Sequence, residues 1–209
     1  MTPESCDTCQ RPKAACVCDR IVRCETKRRV LILQHPQEKD AILGSAQLVA
    51  ASLPKAQIVI GLSWRNLAHA LGEDDVDPQR WAVLFPDREQ AESGVASRSG
   101  NRIEPASLAG IIALDGTWSK AKTLWWRNPW LNKLNRLNLK PLQPSIYGRL
   151  RLEPRREFVS TLESVAHALT LCGEPPEVEE NLKRTFRTLV QRVRDAQLIP
   201  GKAKPRPAR

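Results

Sequence analysis

The chain has 209 residues, with 33 Lys and Arg against 23 Asp and Glu, which gives a formal net charge of +10 and an isoelectric point near 9.7. That length supports one sizeable domain with appendages, and a core large enough to fold without staples; no apolar stretch approaches the roughly 20 residues that span a bilayer. The surplus of positive charge points to a polyanionic partner, with nucleic acid favoured over an anionic membrane surface.

The opening residues, Met1-Thr2-Pro3-Glu4-Ser5-Cys6, lack a basic segment followed by an apolar one. No secretory leader is expected, and the cytoplasm, where disulfides are rare, is the expected compartment. Four of the six cysteines, Cys6, Cys9, Cys16 and Cys18, crowd into residues 6–18 as C-x2-C-x6-C-x-C. Such clustering in a reducing compartment suggests a metal rather than crosslinks. Four thiolates complete a tetrahedral zinc shell, and Arg11, Lys13 and Arg20 would offset its negative charge. An iron–sulfur cluster uses the same ligands. Cys24 is a spare candidate, and Cys172 reads as an ordinary buried thiol. Residues 1–25 are too short and polar for a core of their own, so a metal would organise them as a knuckle. Residues 26–199 form the main domain. The tail 200–209, basic and Pro-rich, is expected to be disordered.

From Arg29 the pattern changes. Val30-Leu31-Ile32-Leu33 reads as a strand, followed by the loop His35-Pro36-Gln37-Glu38. Ile42, Ala46, Val49 and Leu53 trace one helical face. Residues Ile58–Leu62 and Trp81–Pro86 read as further strands, separated by the acidic loop Gly72–Pro78. Residues 87–105, rich in Ser, Gly and charge, are expected to form a mobile connection or an irregular helix-loop. The run Ile111-Ile112-Ala113-Leu114 then suits a strand buried on both faces of a parallel sheet. It turns at Asp115-Gly116-Thr117 into a helical segment that ends near Asn128-Pro129. Thr117 or Asp115 would cap that helix. Leu134, Leu137 and Leu139 suit another strand, and Phe158-Val159 a short one. Ser160 and Glu163 form a capping box for the helix bearing Leu162, Val165, Ala166 and Leu169. A last helix runs from about Pro176 to Gln197.

Strands alternating with helices argue for an α/β fold with a largely parallel sheet. Neither G-x-G-x-x-G nor a P-loop is present, so dinucleotide and P-loop readings lose their support. Ligands in open α/β sheets gather beyond the carboxyl ends of strands, which makes Asp115 the leading candidate for chemistry. The bland alternative is a capped helix with aromatic packing and a solvated basic face.

Four landmarks in this order carry a resemblance: Cys6-x2-Cys9-x2-Pro12-x3-Cys16-x-Cys18, His35-Pro36-Gln37-Glu38, Asp115-Gly116-Thr117-Trp118 and Ser160-Thr161-Leu162-Glu163. From Cys6 to about Gln197 the chain resembles the DTW-domain family. The resemblance implies a tRNA-uridine aminocarboxypropyltransferase, which moves the 3-amino-3-carboxypropyl group of S-adenosylmethionine to uridine N3, in bacterial members at tRNA position 47. It also implies a SPOUT-like fold with a C-terminal trefoil knot, a departure from the usual rule against threading. A SPOUT-like RNA methyltransferase and a non-catalytic zinc RNA-binding module remain the rivals.

Under that resemblance Asp115 is the candidate base for N3–H, with a hydrogen bond or ion pair to the cofactor as its competing role. Leu84, Phe85, Pro86, Leu114, Gly116, Thr117 and Trp118 would line the cofactor pocket, although a core Trp is a rival reading of Trp118. Ser160, Thr161 and Glu163 would receive the cofactor's carboxylate or ammonium at a helix N-terminus, against the simpler reading of a capping box. His35 is expected to be structural or at the pocket rim. Lys120, Lys122, Arg127, Arg149, Arg151, Arg155 and Arg156 would contact tRNA phosphates. No obligate protein partner is implied.

Overall fold

The computed structural model describes residues 4–84, 92–140, 143–148, 150 and 159–199. Seven strands form one sheet: β1 (Arg29–Gln34), β2 (Ala56–Ile60), β3 (Trp81–Leu84), β4 (Gly94–Ala96), β5 (Arg102–Ile103), β6 (Gly110–Asp115) and β7 (Asn135–Asn138), in the order β2-β1-β6-β3-β7-β4-β5. The first five in that order pair in parallel, and β4 runs antiparallel to both β7 and β5. The helices are α1 (Ala46–Ser52), α2 (Leu67–Leu71), α3 (Trp118–Arg127), α4 (Thr161–Leu171) and α5 (Pro176–Asp195).

The uninterrupted apolar runs are explained by burial on both faces, because successive strand residues point to opposite sides. Val30, Ile32, Ile111 and Ala113 join α1, α4 and α5 in one core. Leu31, Leu33 and Ile112 face a second core with α2, Trp130 and Leu131. Ala15 and Val17 of the cysteine segment, both fully buried, belong to the first core. Arg192 of α5 grips the Asp19 carboxylate with both guanidinium arms at 2.8 and 2.9 Å and also donates to the Cys16 carbonyl. The knuckle is therefore packed into the main core rather than hung beside it. Among the described residues no helix is long and apolar enough to cross a membrane.

Several sequence expectations need adjusting. Residues 94–103 are not an irregular connection: they carry the hairpin β4–β5, whose strands are too short to show a period of two and are held by pairing with β7. The helix expected around Ile42 to Leu53 is shorter, Ala46–Ser52. The second strand begins two residues earlier than expected, at Ala56, and a one-and-a-half-turn helix, α2, precedes the acidic loop. Val159 is outside any strand. Phe158, residues 87–91 and the basic tail lie outside the described residues.

One three-strand row shows how tightly the sheet is built. Gly110 stands level with Arg29 on one side and Trp81 on the other. A Cβ at Gly110 would lie 2.5 Å from ring atoms of Trp81. The missing side chain makes room for the indole, and the Arg29 guanidinium sits 5.5 Å from its centroid, itself paired with Glu73. Gly110→Ala is expected to destabilise the fold by about 1–3 kcal/mol through overpacking, seen as a lower midpoint in urea unfolding with an unchanged slope.

Candidate active site and metal centre

The strand order reverses around β6. From β1 the chain moves outward to β2, then crosses to β3 on the other side, and β6 fills the place between. A crevice beyond the carboxyl ends at such a reversal is where open α/β sheets bind ligands. Asp115 closes β6 there, at 8% exposure. Its neighbour in register is Gln34, the last residue of β1, fully buried, whose Nε2 donates to Asp115 Oδ2 at 2.7 Å. Thr161, the first residue of α4, donates its hydroxyl to Oδ1 at 2.6 Å. Both oxygens are thus aimed by donors from separate elements. The backbone N–H of His35 bonds the Asp115 carbonyl at 3.0 Å, and the His35 ring accepts the Gln37 N–H, so His35 joins the end of β6 to the loop after β1.

Gly116 turns the chain into α3. A Cβ there would meet Lys120 Cβ at 2.8 Å, so the first turn of the helix closes down on the loop. Thr117 is the N-cap by position, but its side chain makes no capping bond to α3; the Thr117 hydroxyl faces that of Ser119 at 3.2 Å. Leu124 is the fully buried anchor of α3, while Trp118 is half-exposed, which removes the core reading of that side chain. Lys120 Nζ pairs with Glu38 at 2.7 Å, tying α3 to the loop after β1. Lys122 and Arg127 are exposed. Leu84 and Leu114 are partly buried at strand ends. Phe85, Pro86, Arg149, Arg151, Arg155 and Arg156 lie outside the described residues.

At the start of α4 the capping box is complete: the Ser160 hydroxyl accepts the Glu163 N–H and Glu163 Oε2 accepts the Ser160 N–H. Glu163 also takes the Ser145 hydroxyl and the Ile146 N–H, each at 2.9 Å. Its carboxylate is engaged in fastening the 143–148 turn to α4, and Tyr147 in that turn donates to the Leu43 carbonyl. The positioning role of Gln34 had only a faint signal in the sequence, a polar residue ending an apolar run. Its meaning depends on the register that sets it beside Asp115.

The four cysteines of the knuckle converge. Cys6 Sγ lies 3.9 Å from Cys18 Sγ and Cys9 Sγ lies 3.8 Å from Cys16 Sγ, and all four sulfurs fall within 4.8 Å of one another. Sulfurs about 2.3 Å from a tetrahedral centre stand about 3.8 Å apart, so the group has the spacing to hold a metal ion. The N–H groups of Cys9 and Thr8 draw the Cys6 thiol down to about 6, while burial pushes Cys18 up. Four thiolates at this spacing repel one another, and a cation relieves that repulsion. Arg11 does not face the sulfurs as expected: it is buried and donates to the Ile42 and Gly44 carbonyls. Cys24 stands outside the group, with Asn181 Nδ2 at 3.5 Å from its sulfur. Cys172 is fully buried, and burial pushes its thiol up to about 11.

The sequence profile of the DTW domain matches residues 3–194, from ahead of the cysteine group to the last turn of α5. This chain belongs to the DTW-domain family. Its DTW domain is 27% identical over 189 residues to a Drosophila melanogaster protein named tRNA-uridine aminocarboxypropyltransferase 2. It is 28% identical to proteins of the same name from Macaca fascicularis and Mus musculus. Each comparison covers 88% of this chain; the chain spans 72% of the fly protein and 61% of each mammalian one. No solved structure matches the chain.

Proposed function

We propose that this protein transfers the 3-amino-3-carboxypropyl group of S-adenosylmethionine to N3 of a uridine in tRNA, position 47 being the expected target, in the cytoplasm. The observation that carries the reading is the match over 88% of the chain to relatives named for that transfer. The basic charge suits a tRNA substrate, and a buried carboxylate at the reversal of the sheet suits the chemistry.

In the proposed reaction the uridine N3–H proton goes to Asp115, and N3 forms a bond to the γ-carbon of the amino acid arm. The bond from that carbon to sulfur breaks, its electron pair stays on sulfur, and neutral 5′-methylthioadenosine leaves. The sulfonium supplies a leaving group; this chain supplies position and a base. Gln34 and Thr161 hold the Asp115 carboxylate in place. Leu84, Leu114, Gly116, Thr117 and Trp118 are the proposed contacts of the cofactor, with Phe85 and Pro86 assigned to the same role. Ser160 and Thr161 present the amino end of α4 to the cofactor's carboxylate, while Glu163 shapes that end rather than taking the ammonium. Lys122 and Arg127 face tRNA phosphates, Arg149, Arg151, Arg155 and Arg156 being assigned to the same contact, whereas Lys120, turned inward to Glu38, holds α3 to the loop after β1. Zinc is the proposed ion for Cys6, Cys9, Cys16 and Cys18, in a structural role. A SPOUT-like knot in the C-terminal half belongs to the same reading.

Cofactor labelled in the carboxyl carbon and, separately, in the methyl group tests the reaction. Label from the carboxyl position is expected in tRNA, and nucleoside mass spectrometry should show the added group on uridine. Methyl label in RNA would establish a methyltransferase instead.

A further inference from the structure

The helix that follows Asp115 carries an unusual outer face. Among the described residues Trp118 is 48% exposed and Trp126 71%, while Trp81 and Trp130 are buried. Lys122, also exposed, lies midway between the two exposed indoles. Steps of four residues advance each side chain by only 40° around a helix, so residues 118, 122 and 126 form one stripe. At 1.5 Å per residue the two indoles are spaced about 12 Å along the axis. That is three to four stacking steps of a nucleic acid strand, each about 3.4 Å.

The charge carried by the helix itself has one sign. Residues 118–127 contain no Asp or Glu, and exposed Arg127 follows Trp126 directly. Ser63 is hydrogen-bonded to the Arg127 carbonyl, which brings the loop bearing exposed Arg65 to the same end. Aromatic faces alternating with cations suit a single-stranded polyanion whose bases are unpaired: rings stack on bases while cations meet phosphates. A purely apolar partner would leave Lys122 desolvated in the middle of the contact.

We propose that Trp126 and Lys122, with Trp118 at the end nearest Asp115, form a base-stacking strip that holds unpaired tRNA nucleotides beside the reacting uridine. This rests on the tRNA reading above. The strip makes α3 the element that joins the chemistry to the recognition of an unstacked RNA segment.

The test measures the affinity of the full-length protein for an unmodified tRNA transcript at fixed salt, for Trp126→Ala, Trp126→Leu and Trp126→Phe. Stacking predicts that Ala and Leu weaken binding about ten-fold and that Phe stays within about two-fold of the parent. Lys122→Ala should lower the dependence of log affinity on log salt by about one. All variants should keep the parent's thermal midpoint, because residue 126 is at the surface. The proposal fails if Ala binds as the parent does, if Leu equals Phe, or if Trp126→Ala alters the oligomeric state and leaves tRNA affinity alone. Affinity needs no turnover. Binding with this pattern but no modified uridine would keep the strip and discard the reaction; transfer with an affinity indifferent to residue 126 would do the reverse.

Discussion

Asp115→Ala is expected to lower single-turnover transfer by roughly 10²- to 10⁴-fold, the usual contribution of a positioned base, with tRNA affinity changed less than about three-fold. The prediction follows from where the carboxylate stands: at the sheet's reversal, nearly enclosed, with one oxygen fixed by Gln34 and the other by Thr161. Removing it also strands the buried Gln34 amide, at a cost of about 1–3 kcal/mol in stability. A loss of folding must therefore be separated from a loss of chemistry. Asp115→Asn does this, because it keeps the shape and one carbonyl acceptor while removing the proton acceptor. If Asn loses turnover as Ala does while its own thermal midpoint stays at the parent's, the base role stands. Turnover in Asp115→Ala within ten-fold of the parent would remove it.

The second large effect lies at the other end of the chain. Cys16→Ser is expected to abolish bound metal and to lower the thermal midpoint by on the order of 10 °C, since each kcal/mol moves the midpoint by about 2–4 °C at this size. Structural zinc contributes about 10–16 kcal/mol of apparent binding energy in small fingers, comparable to the whole stability of a domain, about 5–15 kcal/mol. In an appended finger that loss would stay local. Here Ala15 and Val17 are part of the main core, and Arg11 braces the carbonyls of Ile42 and Gly44. Losing the metal therefore loosens both the core and the loop below Tyr147. Elemental analysis with thermal unfolding of the parent and variant decides it. A parent without metal, or a variant that melts with the parent, would overturn the prediction; an iron-containing parent would replace zinc with a cluster.

The strands that carry the site were legible because burial on both faces writes an unbroken apolar run, as in Val30–Leu33 and Ile111–Leu114. The start of α4 was legible because Ser160 and Glu163 are spaced for reciprocal capping, and α5 because its apolar residues keep a helical period. The cysteine spacing announced that Cys6, Cys9, Cys16 and Cys18 converge. What the sequence hid depends on contacts between distant segments. Gly94-Val95-Ala96 becomes a strand only because β7 offers an edge. Gln34 acquires its role from a register that places it beside Asp115, and Lys120 faces inward to Glu38 because the loop after β1 lies under α3. No period within α3 distinguishes the exposed Trp126 from the half-covered Trp125 next to it; only the finished packing does.

The clasp between Asp19 and Arg192 spans 173 positions of the chain. During translation the cysteine segment leaves the ribosome long before the helix that will receive it exists. Until α5 emerges, the nascent N-terminus has nowhere to dock, and Ala15 and Val17 have no interior to enter. Final closure therefore waits on the last helix, so a chain truncated ahead of it is expected to lack not a peripheral piece but the keystone of the fold.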